Sequence, residues 1–417
     1  MRATRVIRAL VLVLTIPLAC GGGDDDAGDD DDDAPVDDDD GAGPDDDDEH
    51  HEDDDEGPRI PTDDPEAPGP FAAGTSTIIL EDSARELFCG DGPRSLMTVV
   101  WYPADPAAAG GEELTVRGFF GDRWDEIAAA ILDGGGDPDD EFADLPAGAY
   151  RDAPHADFYP LGLILFSHGF SANGFQNFTM AAHLASHGYI VAAPDHTCNS
   201  RVTLSETGVV EDTIADALVT IFERVDDLSF LIDVFTDPQT YPFAELVDPE
   251  RIGLVGHSFG GWSVTEAAKA DGRVRAFVQL ASFGLPAVDP SFDAASMFFY
   301  GRQDKYMRPF KGWHNQLIDL VPAPKYEAEL FDTGHYAFSD LCRYNLRLQN
   351  GGNGCGTETR LNGEGTFTNP DHDDLHRAMN AYITAFFGNA FYDAHAFKTY
   401  LAENHFTDLM TYDATAD

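Results

Sequence analysis

From Leu161 onward, short apolar runs alternate with longer amphipathic stretches. Leu161–Phe166 (LGLILF) and Tyr189–Ala193 are apolar throughout, as strands buried on both faces of a sheet are. Between them Gln176–His187 carries helical spacing. Asp212–Phe235 places Leu218, Ile221, Phe222, Val225, Leu228 and Leu231 on or near one face, which predicts one long helix. Ile252–Val255, Val274–Leu280, Ser296–Tyr300 and Lys325–Phe331 read as further strands. Trp313–Leu320 and Leu375–Phe387 read as helices, the second closing the fold. Strand and helix in alternation predict an α/β fold, a mainly parallel central sheet with helices on both faces. Ahead of it, Thr75–Leu80 and Leu96–Tyr102 read as a hairpin. Pro103–Asp157 is a Gly/Ala/Asp-rich insert with a short helix at Asp125–Leu132, and it either overhangs a site as a lid or decorates the surface.

The first 70 residues break this pattern. Met1–Cys20 joins a basic start (Arg2, Arg5, Arg8) to an apolar run, Ala9–Leu18, too short for a permanent span, and reads as an export signal. Ala19-Cys20 fits the processing site of a bacterial lipoprotein, with lipidation at Cys20; cleavage near Ala19 and free secretion is the alternative. Residues 21–70 are glycine and aspartate runs that cannot bury apolar surface, an acidic spacer ahead of a domain spanning 71–417. About 25 of the 76 acidic residues lie in Asp24–Glu66. The net charge of −51 is nevertheless shared by the globular part, which argues against nucleic-acid binding and limits membrane contact to the N-terminal anchor. His50 and His51 stand among these carboxylates and read as solvated tail. Of the five cysteines, Cys89, Cys198, Cys342 and Cys355 remain once Cys20 is set apart, and they allow three pairings. Cys342 and Cys355 share a glycine-rich loop and are easiest to close, leaving Cys89 with Cys198. No CxxC spacing points to a thiolate zinc site.

The chemistry concentrates at Gly256-His257-Ser258-Phe259-Gly260-Gly261, between a strand and a helix. In that setting G-x-S-x-G presents a serine on a sharp turn, with helix N–H groups aimed at the space above it. A serine hydroxyl needs a base, and the base needs an orienting acid. At the ends of later strands the chain offers Asp304 as acid and His335 as base; Asp195, Asp289 and Asp332 are competing acids, of which Asp195 reads as a loop brace. Oxyanion donors are expected from the N–H of Phe259 and, in Ser167-His168-Gly169-Phe170, from the N–H of Phe170, with His168 stiffening that loop. Phe170, Phe175, Phe259, Trp262, Phe283 and Phe338 surround these positions and suit an apolar acyl group, and no cationic cluster for an anionic substrate is evident in the sequence.

These motifs, with Val100-Trp101-Tyr102-Pro103, Leu184–Ala193 and His335-Tyr336-Ala337-Phe338-Ser339-Asp340, resemble the α/β-hydrolases. The branch they resemble holds platelet-activating-factor acetylhydrolases, dienelactone-hydrolase-like esterases and bacterial polyester hydrolases. The resemblance implies the α/β-hydrolase fold and hydrolysis of a small or lipid-like ester with no metal or organic cofactor. A lipase or polyester hydrolase is the neighbouring expectation, and a catalytically dead, surface-displayed binding protein the expectation from another class. The acetylhydrolases carry their acid after the strand that here is Val274–Leu280, where this chain reads Ala281-Ser282-Phe283. That departure favours Asp304 and weakens a phospholipid assignment. Oligomeric state has no signature in the chain.

Overall fold

The computed structural model describes residues 64–131, 143–157, 161–241, 244–289, 291–344 and 353–415. The expected export signal and lipidation site at Cys20, His50, His51 and most of the expected acidic spacer lie outside the described residues. Ten strands form one sheet. In chain order they are β1 (Ala72–Glu86), β2 (Pro93–Ala104), β3 (Tyr150–Arg151), β4 (Leu161–Ser167) and β5 (Tyr189–Pro194). After a separate hairpin, β6 (Val202–Ser205) and β7 (Gly208–Glu211), come β8 (Val247–His257), β9 (Val274–Leu280), β10 (Ala295–Gly301) and β11 (Lys325–Leu330). A small pair, β12 (Thr357–Thr359) and β13 (Thr366–Thr368), precedes the last strand, β14 (Met410–Thr415). Across the sheet the order is β14-β11-β10-β9-β8-β4-β5-β2-β1-β3. The run from β11 to β5 is parallel; β2 and β14 run against it, and β1 and β3, beyond β2, run with it again.

Among the described residues the α-helices are α1 (Trp124–Ile131), α2 (Phe178–Ser186), α3 (Ile214–Val219), α4 (Glu223–Thr236), α5 (Phe259–Ala270), α6 (Lys311–Leu320), α7 (Leu341–Tyr344), α8 (His372–Tyr392) and α9 (His395–Tyr400). Side chains alternate across each strand, so the apolar runs feed two cores. Ile164, Phe166 and Val255 face one, packed with Met180, Leu184, Tyr382 and Phe386 from α2 and α8. Leu163, Leu165 and Leu254 face the other, packed with Leu228, Leu231, Val264 and Ala267 from α4 and α5. Each fully buried side chain of this size contributes about 1.5–3 kcal/mol, which is why the central strands tolerate almost no polar residue.

The structure departs from the sequence reading in four places. The boundary expected at residue 70 moves back to residue 64 or earlier. Gly69 N–H donates to Ser186 Oγ at 3.0 Å, Tyr400 donates to Glu66 at 3.1 Å, and Arg377 pairs with Glu66 at 2.9 Å, so Asp64–Pro70 belong to the folded domain. The helix expected over Asp212–Phe235 is two, α3 and α4. Thr220 ends the first, its hydroxyl reaching back to Asp216 O at 2.8 Å and to Cys198 O at 3.1 Å. The β6–β7 hairpin precedes them. Finally α8 does not close the fold, because α9 and the edge strand β14 follow. Within the insert, Phe119, Phe120 and Trp124 are buried, with Phe119 and Phe120 packed on Phe175, so its described parts are built into the core. Two disulfides close the chain: Cys89–Cys198 joins the β1–β2 turn to the loop after β5, and Cys342–Cys355 flanks the turn that carries His335.

Candidate active site

β8 runs into α5 with one residue between them. That residue, Ser258, has φ 56° and ψ −121°, a conformation that costs a non-glycine residue about 1–3 kcal/mol. The surroundings enforce it. Ser258 N–H donates to Leu280 O at 2.8 Å, and Ser282 Oγ donates to Ser258 O at 2.5 Å. Backbones meet so closely that a Cβ on Gly256 would lie 2.2 Å from Gly260 O, and one on Gly260 would lie 1.9 Å from Ser167 O. The glycines therefore permit the approach, and the approach holds the serine out of a regular strand or helix. Ser258 is partly exposed.

His335 lies in the turn after β11, with Nε2 2.7 Å from Ser258 Oγ. Its Nδ1 is 2.8 Å from Asp304 Oδ2, in the loop after β10. A carboxylate only accepts, so Nδ1 carries the proton and the Nε2 lone pair faces the hydroxyl. Asp304 is fully buried, and its other oxygen accepts from Tyr306 N–H at 2.9 Å and Met307 N–H at 3.0 Å. Asn353, to which the sequence drew no attention, ties the two loops together: its Oδ1 accepts from His335 N–H and Lys305 N–H, each at 3.0 Å. It sits in a glycine-rich loop with no motif to mark it.

The other candidate acids are committed elsewhere. Asp195, buried, accepts from Gly174 N–H at 2.6 Å and braces that loop; burial raises its pKa to about 6. Asp332 is paired with Arg360, and Asp289 accepts from Ser291.

The loop Ser167–Phe170 is fixed from below. Arg224, buried in α4, donates to His168 O at 2.5 Å and Gly169 O at 3.1 Å. His168 Nε2 accepts from His196 N–H at 3.1 Å, so its Nδ1–H donates to Gly169 O at 2.7 Å, and burial beside Arg224 keeps its pKa well below 6.5. Gln176 accepts from Gly169 N–H at 2.8 Å and donates to His257 Nδ1 at 2.8 Å; His257 Nε2 then donates to His335 O at 3.0 Å. Burial and the neighbouring His335 lower the His257 pKa to about 3, which keeps it neutral for this role. One chain of hydrogen bonds thus couples the Phe170 loop to the His335 turn. The Phe170 and Phe259 rings meet edge to face at 6.3 Å, and a Cβ on Gly169 would lie 3.6 Å from Ser258 Cβ, so the Phe170 loop and the start of α5 meet beside the serine.

A second trio has the same wiring. Ser167 Oγ is 2.9 Å from His196 Nε2, and His196 Nδ1 is 2.8 Å from Asp227 Oδ2. All three are fully buried. Arg94 grips Asp227 at 2.5 and 2.6 Å and Arg85 reaches it at 2.9 Å; although burial opposes ionisation, these charges hold its carboxyl well below the usual range. Ser167 has a regular strand conformation and no access to solvent, so this trio works as a brace beneath the loop that Arg224 holds.

Of the six aromatics expected around the site, Phe175, Trp262, Phe283 and Phe338 are core. Phe170, at 38% exposure, and the partly exposed Phe259 face outward, joined by Tyr306, whose ring lies 5.1 Å from that of His335. Arg302, Arg308, Lys311 and Arg360 line one cleft, brought together from two loops and α6; Arg302 and Lys311 share Glu329 and Arg360 pairs with Asp332, and the cleft is not lined by Ser258, His335 or Asp304.

Comparison with known proteins gives a consistent picture. Residues 164–404 match the model of the "Alpha/beta hydrolase family". The chain is 27% identical over 231 residues to a "Probable 1-alkyl-2-acetylglycerophosphocholine esterase" of Arthroderma benhamiae, the match covering 51% of this chain and 57% of that protein. The chain therefore spans little more than half the length of that curated relative. A ferulic acid esterase from Streptomyces cinnamoneus superposes with a TM-score of 0.60 at 24% identity, over 79% of this chain and 93% of that one, a likeness of fold.

Proposed function

The chain belongs to the alpha/beta hydrolase family, and from that premise we propose that it is a serine carboxylic-ester hydrolase acting through Ser258, His335 and Asp304. The observation that carries the reading is the hydrogen-bonded run from a strained, partly exposed Ser258 through His335 to a buried Asp304, at 2.7 and 2.8 Å. Ser258 Oγ attacks the ester carbonyl while His335 Nε2 takes its proton. Asp304 keeps Nδ1 protonated and stabilises the imidazolium. The oxyanion accepts from the N–H groups of Phe259, at the first position of α5, and Phe170. His335 then protonates the departing alcohol, and water admitted to the same position hydrolyses the acyl-enzyme.

The outward aromatics Phe170, Phe259 and Tyr306 support an apolar acyl group. The named relative's acetyl ester is the observation favouring a lipid-like ester, and Asp304 after β10 keeps the acid away from the acetylhydrolase position. For location, we read Met1–Cys20 as an export signal with a lipid anchor at Cys20, and the two cystines support an oxidising compartment. Turnover of p-nitrophenyl butyrate by the full chain and by Ser258→Ala tests the assignment. The variant should fall by several orders of magnitude; equal rates refute it, and with it the enzyme reading in favour of a binding protein.

A further inference from the structure

Beyond ester hydrolysis, we propose that Asp340, His372 and His376 form a site for one divalent zinc-type ion that braces the turn carrying His335. Asp340 follows that turn, and the two histidines lie one helical turn apart at the start of α8. Their donor atoms all fall within 4.8 Å of one another. Asp340 Oδ1 is 2.9 Å from His372 Nε2 and 4.0 Å from His376 Nδ1. Tetrahedral donors about 2.0–2.2 Å from zinc stand roughly 3.3 Å apart, a value these distances straddle, so small side-chain movements close the site.

The outer contacts set each donor as a ligand. His372 faces a carboxylate through each nitrogen, Nδ1 3.0 Å from Asp373 Oδ1 and Nε2 2.9 Å from Asp340 Oδ1, so both donate; an ion takes the place of the Nε2 proton while Asp373 keeps the one on Nδ1. His376 Nε2 is 3.2 Å from Ala337 O, so it donates there and leaves the Nδ1 lone pair on the same side. An acceptor behind each imidazole is the arrangement that fixes ring orientation and raises basicity in metal sites. Thr179 N–H donates to Asp340 Oδ2 at 2.9 Å and its hydroxyl to Oδ1 at 2.8 Å, fixing the carboxylate with Oδ1 toward the histidines. Both His376 and Asp340 are buried, whereas His372 borders a cavity with Ala337, Asn369 and Asp371 that gives an ion and a fourth, solvent ligand a way in. Arg343 Nη1, 4.0 Å from Asp340 Oδ1, is a charge that opposes the ion.

The position says what an ion would do. Ala337 belongs to the His335 turn, Thr179 to α2 and the histidines to α8, so a bound ion joins three elements behind the turn. Two imidazoles and one carboxylate suit zinc and its transition-metal neighbours, not calcium, which takes six or more oxygens.

The test is zinc titration of the full chain, read by competition with a chromophoric chelator and by thermal unfolding. One tight equivalent and a zinc-dependent rise in Tm are expected, with calcium giving neither. Asp373→Asn changes an exposed residue and should weaken binding roughly 10- to 100-fold; Arg343→Gln should tighten it, and His372→Gln should abolish the tight equivalent and the Tm rise. X-ray absorption of the zinc-loaded wild type, which needs no variant to fold, should show two imidazoles. An all-oxygen shell, or unchanged binding and Tm response in His372→Gln and Asp373→Asn, overturns the proposal by assigning the metal to the acidic spacer.

Discussion

Replacing Asp304 by asparagine probes the wiring of the site with almost no change of shape. In the native protein one carboxylate oxygen takes the His335 Nδ1 proton at 2.8 Å and the other takes two backbone N–H groups. An asparagine can keep its carbonyl oxygen on those two N–H groups, and its amide then faces Nδ1. Two donors cannot face each other, so the imidazole moves its proton to Nε2. There it points at Ser258, and the base is lost. The wrong tautomer costs about 10⁴ in kcat in sites wired this way, equivalent to about 5 kcal/mol of transition-state stabilisation. The assay is initial rate on p-nitrophenyl butyrate near pH 7.5, with Tm measured alongside to show that the fold survives. Asp332→Asn is the matched comparison, since that carboxylate pairs with Arg360 and should leave kcat within about twofold if it has no catalytic part. An Asp304→Asn enzyme within tenfold of wild type, or an Asp332→Asn enzyme that collapses, refutes the assignment of the acid.

Three further outcomes are expected. Gly260→Ala drives a Cβ to 1.9 Å from Ser167 O, where only backbone can yield, and should cost about 3 kcal/mol by urea unfolding. Arg94→Leu leaves Asp227 without its bidentate partner and should cost about 3–5 kcal/mol, measured the same way. Asp195 has its folded pKa raised from 3.8 to about 6 by burial, so the stability it confers is complete below pH 3.8 and lost as pH rises through about 6. This amounts to about 3 kcal/mol between pH 4 and 7. Asp195→Asn should remove that fall, and urea midpoints of the two proteins that stay parallel across this range would count against it.

Much of this was legible in the sequence because the signals were local. Gly256–Gly261 announces its turn through residues that only a close backbone crossing requires, and β4, β5, β9 and β10 are apolar on both faces because both are covered. Asp304 and His335 could be placed because each stands just beyond a strand end. What escaped detection depends on partners distant in sequence. β14 reads MTYDAT, polar on its outer face, and is a strand only because β11 lies beside it. The break between α3 and α4 comes from a threonine hydroxyl turning back on its own helix, which apolar spacing does not register. Asn353 earns its place from two loops it bridges, and the cations of the cleft are scattered over Arg302–Arg360.

The buried trio beneath the Phe170 loop makes the molecule its own control for what reactivity requires. Ser167 and Ser258 have nearly the same partners at nearly the same lengths. A fluorophosphonate should nevertheless consume one equivalent and leave its mass on the peptide containing Ser258 alone. Recognising a nucleophile from interatomic distances would count two here; counting reachable electrophile positions leaves one.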